Sequence, residues 1–389
     1  MEIKNKKVFL RTDFNVPIKD NIIIDDYRIV STLKTMDLLK SEDAKTIMVS
    51  HIDTEGPAGS TLKPVFDYIK NNHPEYDIQF MDNTDDLNDI KNKFESINPG
   101  GFLLLENIRN MKGEKDDDVE LAKFFRSITD VYINDAFAVS HRKHMSVSFL
   151  PSLYYSNQKM FGLQMQKEID NLSKALNPEK PLAVILSGAK FSTKLPLIEK
   201  YLKTSDDIFI GGALYNNILK SMGNNIGVSL FDHDASYIDN MIKTNDFKYK
   251  VFTPEKIVVK NIDTDEVFVK EINKIESKET VQDIDNESIK EFIEILKNKN
   301  TKTIVWNGPL GNYEDVRFKE GTLFLANNLV DYVKSNSGVH LFIGGGDTVA
   351  AINSLNVNDE RIFVSTGGGA MLEFLEKDGK LPGVVSVLS

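Results

Sequence analysis

Val339-His-Leu-Phe-Ile-Gly344-Gly345-Gly346-Asp347-Thr348-Val-Ala-Ala351 is the stretch that decides how this chain folds. An apolar run breaks into three glycines and an Asp-Thr pair, then resumes as an apolar segment compatible with a helix. The pattern predicts a strand, a tight glycine turn and a helix start. Glycines let a backbone approach a ligand closely, and the free N–H groups of a helix start favour an anion such as phosphate.

Working outward, the same grammar runs through the whole chain. Short apolar runs at Lys7–Leu10, Thr46–Val49, Gly101–Leu105 and Asp130–Ile133 occupy the first half. Leu182–Leu186, Asp207–Ile210, Thr303–Trp306, His340–Ile343 and Ile362–Val364 follow in the second. Strands that are continuously apolar and separated by helical segments belong to parallel sheets covered on both faces. An α/β fold of two doubly wound domains is expected, and 389 residues suit roughly two to three domains.

Pro151 and Tyr154-Tyr-Ser-Asn157 close the first block, so its domain is placed at 1–157. Residues 158–176 are expected to form one connecting helix, with Met160, Leu163, Ile169 and Leu172 near a helical period and Pro178 and Pro181 ending it. Hinges would lie at its ends. Residues 177–377 form the second domain. Within it Glu266–Val269 is expected to be a short β element, and Ser288 to cap a helix over Ile289–Lys297.

The formal net charge of −11 argues against a sequence-independent nucleic-acid binder, so any anionic ligand must be held by a local basic cluster. The absence of cysteine excludes disulfides, thiolate metal sites and cysteine nucleophiles. No apolar run approaches a membrane span, and the first strand leaves no room for a signal peptide. A soluble, cytoplasmic protein is expected.

Ligands of open parallel sheets bind beyond the carboxyl ends of the strands. Those positions carry Asp13 and Asn15, His51, Asn107 and Arg109, then Asp135 and His141-Arg142-Lys-His144, while Arg28 opens a helix after Asp25-Asp26. The guanidinium fork suits carboxylate and phosphate, so converging Arg28, Arg109 and Arg142 would form an anion site. Each could instead pair with a surface carboxylate. The histidines lack HExxH spacing, which disfavours a metal role.

The second half offers Ser187-Gly-Ala-Lys190-Phe-Ser-Thr-Lys194, Gly211-Gly212, the Gly344–Thr348 loop and Ser365-Thr-Gly367-Gly368-Gly369-Ala370. Glycine loops opening helices beside lysines supply backbone donors and point charges for a polyphosphate, and Asp347 could hold a magnesium ion. Any one such loop could be only a βα turn. The GxxxxGK[ST] P-loop and the HRD and DFG signatures are missing, as is the GxGxxG of nicotinamide dehydrogenases after the first strand.

Taken in order, Arg11-Thr-Asp-Phe-Asn-Val-Pro17, Asp25-Asp-Tyr-Arg28, Leu105-Glu-Asn-Ile-Arg109, Tyr132-Ile-Asn-Asp-Ala-Phe137, His141-Arg-Lys-His144, Trp306-Asn-Gly-Pro-Leu-Gly311, Gly344-Gly-Gly-Asp-Thr348, Ser365-Thr-Gly-Gly-Gly-Ala370 and Leu381-Pro-Gly-Val384 resemble phosphoglycerate kinases over nearly the whole chain. The resemblance implies two Rossmann-like domains, with the tail 378–389 packing back on the first, and a monomer. It implies magnesium-dependent phosphoryl transfer from 1,3-bisphosphoglycerate to ADP, giving 3-phosphoglycerate and ATP, with hinge-bending closure. By resemblance Asp13, Asn15, Arg28, His51, Arg109 and Arg142 would bind the glycerate substrate. Lys194, Gly211, Gly212, Glu314, Gly345, Gly346, Asp347 and Thr348 would bind the nucleotide, with Asp347 near magnesium. Arg28 and Lys190, with amides of Gly345 and Gly368, would stabilise the transferring phosphoryl group.

The chain departs from that family in places. His-Leu-Gly-Arg-Pro becomes His51-Ile-Asp53-Thr54-Glu55-Gly56, replacing a substrate-binding arginine by Thr54 between two carboxylates that would repel an anion unless turned away. Ala213 replaces a third glycine, and Asp-Ile-Gly-Pro-Lys-Thr becomes Asp283-Ile-Asp-Asn-Glu-Ser288. An active enzyme and a paralogue that binds nucleotide without efficient turnover are the competing readings.

Overall fold

In the computed structural model the chain is described over residues 2–389, apart from 54–59, 117, 190, 192, 193, 234–236, 354, 356 and 357 and the side chains of 347, 350 and 353. Contacts divide it into two units, residues 1–170 with 379–389, and residues 171–378.

The first unit contains β1 (Lys7–Arg11), a small hairpin of β2 (Ile18–Lys19) and β3 (Ile22–Ile23), then β4 (Lys45–Val49), β5 (Ile78–Met81), β6 (Phe102–Leu105), β7 (Val131–Asn134) and β8 (Lys159–Phe161). The six main strands form one parallel sheet in the order β5-β6-β4-β1-β7-β8. Both faces are covered, which is why β1 reads as an unbroken apolar run. Val8 and Leu10 enter the cluster with Ile29, Met36 and Met48, while Phe9 stacks on Tyr132 and meets Phe125 edge-on.

Residues 159–162 are not helical, contrary to the expected connecting helix over 158–176; Gln158 ends a short 3-10 turn, Ser156–Gln158. Lys159–Phe161 pairs with β7, and the helix begins only at Leu163 and runs to Leu176. Gly162 explains the break: a Cβ there would lie 2.3 Å from Asp135 Oδ1, so the chain must pass too close for a side chain. Asp135 is thereby turned to the new helix start, where Met165 N–H donates to Oδ1 at 2.9 Å. The C-terminal helix Pro382–Leu388 belongs to this unit as well: Gly383 N–H donates to Ser140 O at 2.8 Å and Lys159 Nζ to Ser386 O at 2.8 Å.

The second unit is built on β9 (Leu182–Leu186), β10 (Asp207–Ile210) and β11 (Val251–Phe252), then an antiparallel insert of β12 (Lys256–Asn261), β13 (Val267–Glu271) and β14 (Glu279–Ile284), and finally β15 (Thr303–Asn307), β16 (His340–Gly344) and β17 (Ile362–Val364). The parallel sheet runs β11-β10-β9-β15-β16-β17. From β9 the chain winds to one side and from β15 to the other, so the switch point lies between the ends of β9 and β15. The helix after β14 spans Asn286–Asn298, and its cap is Asp285, which accepts from Glu287 N–H at 2.9 Å. Ser288 lies inside the first turn, and its hydroxyl is used on Lys256.

Candidate active site

Each sheet presents polar residues at its strand ends, and the two units are described separately. In the first, β1 ends in Arg11, which is fully buried. Its Nε donates to Ser146 Oγ at 2.9 Å, and Ser146 in turn donates to buried Glu114 from Oγ (2.7 Å) and N (3.0 Å). Burial lowers the Arg11 pKa and raises that of Glu114, and each charge opposes the other's shift. The pair is a rigid base for the site, since removing one partner would strand a buried charge.

On that base sits His51, at the end of β4. Arg11 Nη2 approaches its Nδ1 at 3.5 Å. A guanidinium only donates, so Nδ1 is the accepting nitrogen and the ring proton lies on Nε2. Burial first, then Arg11, Arg109 and Arg28, push the His51 pKa far below its ordinary value, leaving a neutral ring. Burial together with Arg109, Arg11 and Arg142 brings His144 down to about 4. Four arginines are thus felt at two histidines.

Arg28 donates through Nη1 to Asn15 O at 3.0 Å and reaches the Asp13 carboxylate at 3.2 Å. Asn15 Oδ1 accepts from Asp53 N–H at 2.9 Å. Arg109 forms an ion pair with Asp53 through Nη1, and Asp53 Oδ2 lies 3.9 Å from His51 Nε2. The Asp53 carboxylate therefore does not turn away; it lies on the arginine. Asn107 braces this loop, donating from Nδ2 to Ile52 O (2.8 Å) and Ser60 O (3.0 Å). Arg142 is exposed. Asp135, a strand-end candidate on sequence grounds, works as a helix cap, and burial pushes its carboxyl up to about 6. Thr54 and Glu55 lie outside the described residues.

In the second unit the features collect at the switch point. Lys194 donates to Ser187 O, at the end of β9, and to Asn307 Oδ1, at the end of β15, the latter at 2.9 Å. Burial brings this lysine down to about 8. Gly308 N–H donates to Thr348 Oγ1 at 3.0 Å, tying the glycine loop to β15. Gly345 holds φ +101°, and a Cβ on Gly368 would stand 2.7 Å from its N and Cα, so two glycine loops touch backbone to backbone. Asn307 Nδ2 is buried with no hydrogen-bond partner among the described residues and faces this loop, 3.2 Å from where a Cβ on Gly344 would be. It is an unused donor that motif reading did not single out.

Beside these loops a cavity of about 410 Å³ is lined by Gly188, Gly212, Ala213, Asp283, Leu310 and Glu314 among others. Gly211 precedes it at the end of β10, donating to Leu186 O at 3.0 Å. Gly346 and Asp347 open the Gly346–Asn353 helix; the Asp347 side chain and Lys190 lie outside the described residues. Among the described residues no group of three or more histidine or acidic side chains is gathered as a metal site.

A glycine-lined cavity with a buried lysine beside it on one doubly wound sheet and an arginine–histidine cluster on another fit a two-domain phosphotransferase. A sequence profile described as phosphoglycerate kinase matches residues 1–378. Phosphoglycerate kinase from Finegoldia magna is 38% identical, covering 99% of this chain and 96% of that protein; the one from Dictyoglomus turgidum is 37% identical, covering 98% and 96%. The structure of phosphoglycerate kinase from Coxiella burnetii superposes with a TM-score of 0.80 at 30% identity, covering 100% of this chain and 97% of that one. The chain belongs to the phosphoglycerate kinase family.

Proposed function

We infer that this chain is a working enzyme of its family, moving the acyl phosphate of 1,3-bisphosphoglycerate to ADP and back. The observation that carries the reading is the switch-point pocket of the second unit, where desolvated Lys194, two abutting glycine loops and an adjoining cavity offer donors and space for a nucleotide polyphosphate. Lys194, Gly211, Gly212, Glu314, Gly345, Gly346, Asp347 and Thr348 take the nucleotide. Asp13, Asn15, Arg28, His51, Arg109 and Arg142 take the glycerate.

In the forward direction a β-phosphate oxygen of ADP attacks the acyl phosphorus, a new P–O bond forms, and the bond to the carboxyl oxygen breaks. Both the attacking oxygen and the leaving carboxylate are ionised at neutral pH, so the transfer needs no general base. What remains is positioning and charge stabilisation. Arg28, Lys190 and the amides of Gly345 and Gly368 stabilise the moving phosphoryl group. Each unit holds half of the chemistry, so the two must come together during turnover, excluding water from the acyl phosphate.

Asp347 would supply one carboxylate to a magnesium ion arriving with the nucleotide, whose phosphates would provide the remaining negative charge. When bound it would neutralise phosphate charge. A single chain holds all these groups, so a monomer suffices. No described helix is long and apolar enough to cross a membrane. A glycolytic role would be carried out in the cytoplasm. A coupled assay with 3-phosphoglycerate, ATP and Mg2+ should show turnover. A folded protein that binds ATP yet turns over nothing at saturating substrate would leave only the non-catalytic paralogue.

A further inference from the structure

Asp53 meets three residues of the proposed acceptor site at once. Its carboxylate pairs with Arg109 and lies 3.9 Å from His51 Nε2, and its N–H donates to Asn15. Because His51 is neutral, Arg109 is the cation that holds it. That pairing is incomplete: Arg109 Nε is buried and has no hydrogen-bond partner among the described residues, so the fork is only partly used. The two sides of the pair also differ. The Asp53 side chain is 56% exposed and that of Arg109 19%, so the carboxylate can swing into water while the arginine stays. The backbone at residues 52 and 53 is tied to Asn107 and Asn15, so the side chain can leave without moving the strand end.

Resting on the acceptor-site assignment above, we propose that Asp53 is an internal competing anion. It holds Arg109 when the site is empty, and an incoming glycerate carboxylate or phosphate displaces it. Substrate then sees a site only partly available. Its apparent affinity is reduced by one plus the equilibrium constant of the internal pair. For a half-exposed ion pair that constant gives a reduction of about two- to sixfold. Asp53 thus sets the affinity of the acceptor site: every anion that needs Arg109 loses the same factor.

The test is steady-state kinetics of Asp53→Asn and Asp53→Gly, two variants so that one folding failure does not end the experiment. Both should lower KM for 3-phosphoglycerate about two- to sixfold, with kcat and KM for ATP within about twofold. In an Arg109→Ala background the effect of Asp53→Asn should vanish, since the pair is already gone. If Arg109→Ala leaves KM for 3-phosphoglycerate unchanged, the acceptor-site assignment itself fails. If Arg109→Ala raises KM but both Asp53 variants leave it unchanged or raise it, the site stands and the competing-anion proposal is overturned.

Discussion

Replacing Gly368 by alanine puts one methyl group against the backbone of the neighbouring glycine loop. The new Cβ would stand 2.7 Å from Gly345 N and Cα, where 3.4 Å begins ordinary contact, so one loop must retreat by about 0.7 Å (3.4 − 2.7). Neither atom is the end of a flexible side chain, and the strain falls on the amides assigned to the transferring phosphoryl group. Misplacement approaching 1 Å at such donors costs about 10- to 100-fold in rate. The overpacking itself costs about 1–3 kcal/mol of stability. Gly369→Ala is the control, because a Cβ there meets nothing within 4 Å. Inside the Gly368–Glu376 helix it should be neutral or stabilise by up to about 1 kcal/mol. The coupled assay gives kcat, and urea denaturation gives the folded fraction at the assay temperature. A Gly368→Ala protein that is folded and keeps kcat within twofold of the parent would refute the role given to these loops.

Lys194, brought down to about 8 by burial, is charged below that pH and neutral above it, so ATP affinity should fall as pH rises from 8 to 9.5, by up to about tenfold per unit. Lys194→Met should flatten the profile in calorimetry, and a parent Kd constant over that range would exclude the charge role. His144, held near 4, stays neutral in the folded protein while the unfolded chain protonates near 6.5, so this group removes stability as pH falls between those values. The ceiling between pH 7 and 5 is about 2 kcal/mol, and partial exposure reduces it to about 1. His144→Gln should therefore lose about 1 kcal/mol less than the parent over that interval in urea denaturation; equal losses would count against it. Asp135, raised to about 6, acts in the opposite sense but is common to both proteins and cancels. Chelation with EDTA should abolish turnover and excess Mg2+ restore it; activity indifferent to chelation would remove magnesium from the scheme.

The long apolar strands were legible because a strand buried on both faces writes itself as a local run of Val, Ile, Leu and Phe. Besides the Ile18–Lys19 and Ile22–Ile23 hairpin and the insert strands Lys256–Asn261 and Glu279–Ile284, three short strands of the parallel sheets, Ile78–Met81, Lys159–Phe161 and Val251–Phe252, escaped that reading. Each is an edge or terminal strand of two to four residues, too short to carry a periodicity. Lys159–Phe161 was absorbed into the helix that follows, because the signal that ends it is a contact between Gly162 and Asp135, not a turn motif. Motif order was enough to assign the family, and the Gly344–Thr348 and Gly367–Gly369 loops kept their glycines.

The sequence by itself determined the βα alternation, the two-domain plan and the residue types at the strand ends, since these follow from local periodicity and from glycine chemistry. Only the tertiary structure decided which of those residues meet. Arg11 finds Ser146 across 135 residues and Arg109 finds Asp53 across 56, and no local pattern encodes such partners. The same holds for the order of the second sheet, which brings Ser187 and Asn307 together under Lys194. Asp53 shows the difference most plainly. In sequence it is one of two carboxylates set to repel an anion unless turned away, and its consequence comes from the arginine that the fold sets beside it.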